Sequence, residues 1–163
     1  MTDAKTKTIP TSSLDPDVTA GVAQFLSPVV VNLQALAVDG KQAHWHVRGA
    51  NFIGVHELLD SVVANAGAFA DTAAERIVAL GLPIDARLSA VAAKAGASAV
   101  PAGFTQSAEL IRHIVADIDA ILVDTKAAID GLDEIDLTSQ DVAIEIMRGL
   151  EKDRWFLVAH VAE

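Results

Sequence analysis

Four long stretches of this chain carry apolar residues at helical spacing, and that rhythm limits the fold more than any other feature. The first opens at Asp15-Pro16, an N-cap followed by proline at the first helical position, and runs to about Val47. Pro28 within it predicts a kink, or a restart capped by Ser27. After the connector RGANFIG, a second helix runs from about Phe52 to Leu80, where Gly81 and Pro83 supply the stop. Residues 82–104 form a long link with a short helical pattern in DARLSAVAAKAG, and such a link can cross from one end of a bundle to the other. The third helix spans about Gln106 to Ile129, DGLDEID is an acidic turn, and the fourth runs from about Ser139 to Val161, capped by Thr138. The expected fold is all-α: a four-helix bundle with a short extra helix in its long second connection. Residues 1–14, MTDAKTKTIPTSSL, are polar and patternless and read as a mobile tail on a single domain, 15–163.

Composition agrees. Hydrophobic content is 52% and aromatic content 4% over 163 residues, the profile of closely packed helices in one domain. There is no cysteine, so disulfides and thiolate metal sites are excluded. No leader pattern opens the chain, which makes a cytoplasmic location the expectation. Val18 to Val38 carries no charge, but Gln24, Ser27, Pro28, Asn32 and Gln34 interrupt it, so it reads as a core helix and no membrane partner is expected. Net charge is −10, and from Asp117 onward twelve acids face four bases. An acidic body disfavours nucleic acid and attracts cations, although a solvated acidic surface looks the same in sequence.

The second helix carries the chemistry. His56 and Asp60 stand four residues apart, and so do Asp71 and Glu75. Each pair is stacked one turn above the other and suits a cation. At about 100° per residue all four fall on one stripe, yet the pairs lie about 22 Å apart along the axis. No single ion touches both. Two copies set antiparallel across a two-fold axis bring His56 and Asp60 of one chain opposite Asp71 and Glu75 of the other, giving two sites between subunits. Imidazole and carboxylate without thiolate suit ferrous iron, and also zinc or manganese. His44, just before the connector, is a fifth ligand, whereas His46 faces elsewhere. No Glu-x-x-His motif occurs, which argues against a diiron centre within one bundle. An isolated pair such as Glu109 with His113 reads as plain surface, and Trp155 and Phe156 read as core or subunit contact.

The run KQAHWHVRGANFIGVHELLD, continuing to DTAAER, resembles the Dps proteins (DNA-binding proteins from starved cells), the small ferritin-like iron-storage cages. The similarity covers all four helices, and its core motif is His44, His56, Asp60, Asp71 and Glu75. The resemblance implies a ferroxidase centre with the two histidines and Asp60 from one subunit and Asp71 and Glu75 from its two-fold mate. Trp45 resembles the family tryptophan that intercepts oxidising equivalents. It further implies a hollow homo-dodecamer built from two-fold dimers that oxidises ferrous iron, preferably with hydrogen peroxide and otherwise with oxygen, stores ferric mineral and protects against oxidative stress. Acid-lined three-fold pores admit iron in the family. Asp130, Asp133, Glu134, Asp136 and Asp141 are the candidates for such a lining here. The tail offers only Lys5 and Lys7 against Asp3, so DNA binding is expected to be weak or absent.

Two other functions fit parts of the pattern. A His/carboxylate centre suits metal-assisted hydrolysis of an amide or ester, with Asp71 or Glu75 as general base. A DNA-compacting architectural protein is the other, and the acidic composition argues against it.

Overall fold

The computed structural model describes residues 12–162, and the expected tail residues 1–11 lie outside it. Of the remaining tail, Leu14 packs against the core and its N–H donates to the Ser12 hydroxyl at 3.0 Å. The elements in order are α1 (Pro16–His46), β1 (Val47–Arg48), α2 (Phe52–Ala79), α3 (Leu88–Ala95), β2 (Thr105–Gln106), α4 (Ser107–Leu132) and α5 (Leu137–Ala159). Val22, Leu26, Leu33, Leu59, Val62, Leu110, Ile114, Ile118, Leu132 and Leu150 are fully buried where the helices meet.

A two-residue parallel bridge, Val47 with Thr105 and Arg48 with Gln106, was not signalled by the sequence pattern. It joins the end of α1 to the start of α4. The chain therefore runs up through α1, down through α2, back along the bundle through the α3 link, down through α4 and up through α5.

Local chemistry accounts for the boundaries. The Asp15 carboxylate accepts from Asp17 N–H at 2.8 Å at the start of α1. No restart occurs at Pro28: α1 is one helix, and the Ser27 hydroxyl donates back to Ala23 O at 2.5 Å. Gly81 and Gly96, at φ +89° and +82°, end α2 and α3 in the left-handed region. Two boundaries differ from expectation. The fourth long helix, α5, starts at Leu137 and is capped by Asp136, whose carboxylate accepts from Ser139 N–H at 3.0 Å; Thr138 lies within its first turn. The third, α4, continues through Asp130 and Gly131 to Leu132, and Gly131 is a notch that receives the Phe25 ring.

Gly149 on α5 receives the Phe69 ring of α2 in the same way. A Cβ there collides with the ring. Gly149→Ala is expected to lose about 2 kcal/mol to overpacking, visible as a lower Tm, despite alanine's better helix propensity. An unchanged or higher Tm contradicts the notch.

Candidate metal centre

His44 sits in the last turn of α1 and His56 in the second turn of α2, and RGANFIG folds the two helix ends together. The turn closes at Asn51, which takes φ +61° as the residue preceding α2, a conformation asparagine tolerates better than most side chains. The two imidazoles stack with centroids 3.7 Å apart and planes 22° from parallel. Each ring is tied to the other's backbone: His44 Nδ1 lies 2.8 Å from His56 O, and His56 Nδ1 lies 2.9 Å from His44 O. A carbonyl only accepts, so both Nδ1 atoms carry the proton. Both Nε2 lone pairs are thereby left for an ion, the arrangement metal-binding histidines use.

Asp60 lies one turn beyond His56, its Oδ1 3.4 Å from His44 Nδ1. The same oxygen accepts a hydrogen bond from Lys41 Nζ. That bond is the main cause holding the Asp60 carboxyl below the usual carboxylate range, with the two histidines adding to it. Lys41 was missed in the sequence, although it stands three residues before His44 on the same face of α1. An ion reaching Asp60 must share or displace the ammonium. Lys41→Gln is expected to tighten Co²⁺ binding a few-fold by calorimetry; unchanged or weaker binding shows that Lys41 does not compete.

Asp71 and Glu75 are exposed further along α2, and neither makes an ion pair among the described residues. Because α2 is unbroken from Phe52 to Ala79, the two acid-bearing pairs stay about 22 Å apart on one stripe. Among the described residues of one chain, no three His or acidic side chains converge on a common ion position. Trp45, beside His44, is 62% exposed.

The acidic candidates at the α4–α5 turn divide. Asp136 is taken up by structure: Arg76 Nη2 donates to it at 2.6 Å and Arg76 Nε donates to Ser139 Oγ at 2.9 Å. Burial opposes its charge, but the Ser139 and Arg76 hydrogen bonds prevail and hold its carboxyl low. Asp130 pairs with Lys126, and Asp133 accepts from Gln140 Nε2 at 3.0 Å. Glu134 and Asp141 are exposed.

Residues 25–163 match the ferritin-like domain family. Among solved structures, Dps from Microbacterium arborescens in the high iron form superposes with a TM-score of 0.91 and 69% identity, covering 93% of this chain and 99% of that one. Mycobacterium smegmatis Dps, in its tetragonal form, gives a TM-score of 0.87 at 31% identity, over 96% of this chain and 94% of its own. The DNA protection during starvation protein of Agrobacterium fabrum is 34% identical over 143 residues, 87% of this chain and 88% of that protein. A helical bundle with this connectivity, a paired-histidine site at the α1–α2 junction and these likenesses together place the chain in the ferritin-like domain family and, within it, among the Dps proteins.

Proposed function

We propose that this protein takes up ferrous iron, oxidises it at sites shared between two-fold-related subunits, preferably with hydrogen peroxide, and stores the ferric product inside a hollow homo-dodecamer in the cytoplasm. The observation that carries the reading is the reciprocal His44–His56 lock, which leaves both Nε2 atoms free for an ion, with the Asp60 carboxylate against His44 Nδ1. Asp71 and Glu75 of a second copy would complete the ligand set. The surface between the two pairs suits that approach. Gly67 lies on the same stripe with open space beside its backbone, and Ala64 and Ala68 are exposed, so two antiparallel α2 helices can come close.

Iron is the substrate and the cargo. Asp60, Asp71 and Glu75 supply hard oxygen ligands that favour the ferric state, while the imidazoles restrain the ferrous one. Two ferrous ions each give up one electron. Peroxide takes both, its O–O bond breaks, and with two protons it leaves as two waters, so no hydroxyl radical is released. Stray oxidising equivalents would land on Trp45 or Trp155, since the chain has no tyrosine. Iron would enter past Glu134 and Asp141, with Asp130 and Asp133 alongside; Asp136 is committed to its cap and to Arg76. The net charge of −10 disfavours DNA as a strong partner.

The test is anaerobic Fe²⁺ loading followed by peroxide or air, with ferric absorbance, consumed peroxide and particle size recorded. The reading expects fast peroxide-driven oxidation, one peroxide per two irons, and a cage-sized particle that retains the iron. Oxidation at the rate of buffer alone, or trapped hydroxyl radical in proportion to iron, rejects it.

A further inference from the structure

Away from the metal centre, a cleft of about 210 Å³ lies between α1, α4 and the end of α3. Two carboxylates share it: Asp39 from α1 and Asp117 from α4. Asp117 Oδ2 is out of reach of solvent and has no hydrogen-bond partner among the described residues. The other polar and charged groups around the cleft are few. Lys94 reaches its wall from the last turn of α3, Ser98 lines it from the link, and His113 stands one turn before Asp117. Asn32, on α1, donates to Asp124 of α4 at 2.7 Å and is thereby occupied. No ion pair neutralises either acid among the described residues.

The roof of this cleft is weakly held. Of the eight residues of α3 only Val91 is buried, Leu88 is 80% exposed, and the chain leaves the helix through Gly96 at φ +82°. Few apolar contacts make such a segment the first to open locally. We propose that the Asp39–Asp117 pair is a proton-operated latch on α3: with Asp117 protonated, the α3 end and the Gly96–Ser98 link lie closed over the cleft, and loss of that proton lifts them.

The direction follows from linkage. Burial, and secondarily the like charge of Asp39, push the Asp117 carboxyl up to about 6, with His113 opposing. Once solvated by opening, the same group returns towards its ordinary 3.8. The closed state therefore binds the proton more tightly than the open one. Closure is favoured in acid and loses ground as pH rises from about 4 to about 6, beyond which both states are ionised and the dependence ends.

The experiment is hydrogen exchange by mass spectrometry on the assembled full-length protein, corrected for the intrinsic pH dependence of amide exchange. Peptides covering Leu88–Ser98 are read against the core of α2 as reference. In the wild type, protection of Leu88–Ser98 is expected to fall about tenfold between pH 5 and pH 7.5, while the reference stays level. Asp117→Asn should abolish that fall, and Asp39→Asn should shrink it by removing the like charge. A wild-type profile that is flat after correction overturns the latch. So does an Asp39→Asn or Asp117→Asn profile that matches the wild type, and the Asp39 variant keeps the test decisive if Asp117→Asn does not fold.

Discussion

Asp60→Asn is expected to lower the initial rate of peroxide-driven ferric formation at least about a hundredfold. Loss of an outer-shell partner to a metal ligand typically costs about 10–100-fold, and Asp60 is read as a ligand itself. The substitution is nearly isosteric and the side chain is 50% exposed, so folding and assembly should be untouched. It removes the charge that holds Lys41 and that faces His44 at 3.4 Å. Stopped-flow ferric absorbance, with particle size as the assembly control, measures it. A rate within about threefold of wild type removes Asp60 from the centre.

The second large effect lies inside the bundle. Asp153 on α5 is only 3% exposed, and both its oxygens accept from a single donor, Asn65 Nδ2 of α2, at 2.8 and 3.0 Å. Burial pushes its carboxyl above the ordinary range, and the Asn65 hydrogen bonds pull the other way. Asn65→Leu leaves a buried carboxyl with no partner and should cost about 3 kcal/mol in unfolding free energy. A folded-state value above the unfolded one means that stability is lost as pH rises from the unfolded value through the folded one. Without Asn65 that loss should deepen and reach higher pH. Adding Asp153→Leu to Asn65→Leu should recover most of the stability, because the orphaned group is gone. Chemical unfolding of the two variants at pH 5 and pH 7.5 decides it. An Asn65→Leu variant as stable as wild type shows that the pair is not holding α2 against α5.

The sequence made the helices readable because each apolar stripe persists for many turns, and Asp15-Pro16 and Gly81 punctuate it with well-understood chemistry. It misled where one residue type serves two purposes. DGLDEID looked like a turn throughout, yet Asp130 and Gly131 belong to α4, where Gly131 receives Phe25, and Thr138 looked like a cap while Asp136, two residues earlier, takes that role. The parallel bridge between Val47–Arg48 and Thr105–Gln106 joins segments far apart in the chain and leaves no local pattern. At the candidate metal centre, the spacing placed the histidines and acids on their faces. It did not disclose that each histidine's tautomer is set by the other's carbonyl, nor that Lys41 occupies Asp60, because both depend on how α1 docks on α2. The Asn65–Asp153 pair was invisible for the same reason.

The central claim is that each centre is built from two chains, and mixing variants tests it directly. Asp60→Asn and Glu75→Gln chains, each expected to be inactive alone, are co-expressed so that they assemble together. If the centre is shared, a mixed dimer carries one doubly altered site and one with every ligand intact, so random mixing restores about a quarter of wild-type sites. Ferroxidation recovered to about that level is the result predicted here. Mixed particles as inactive as either parent would show that Asp60 and Glu75 do not act across an interface.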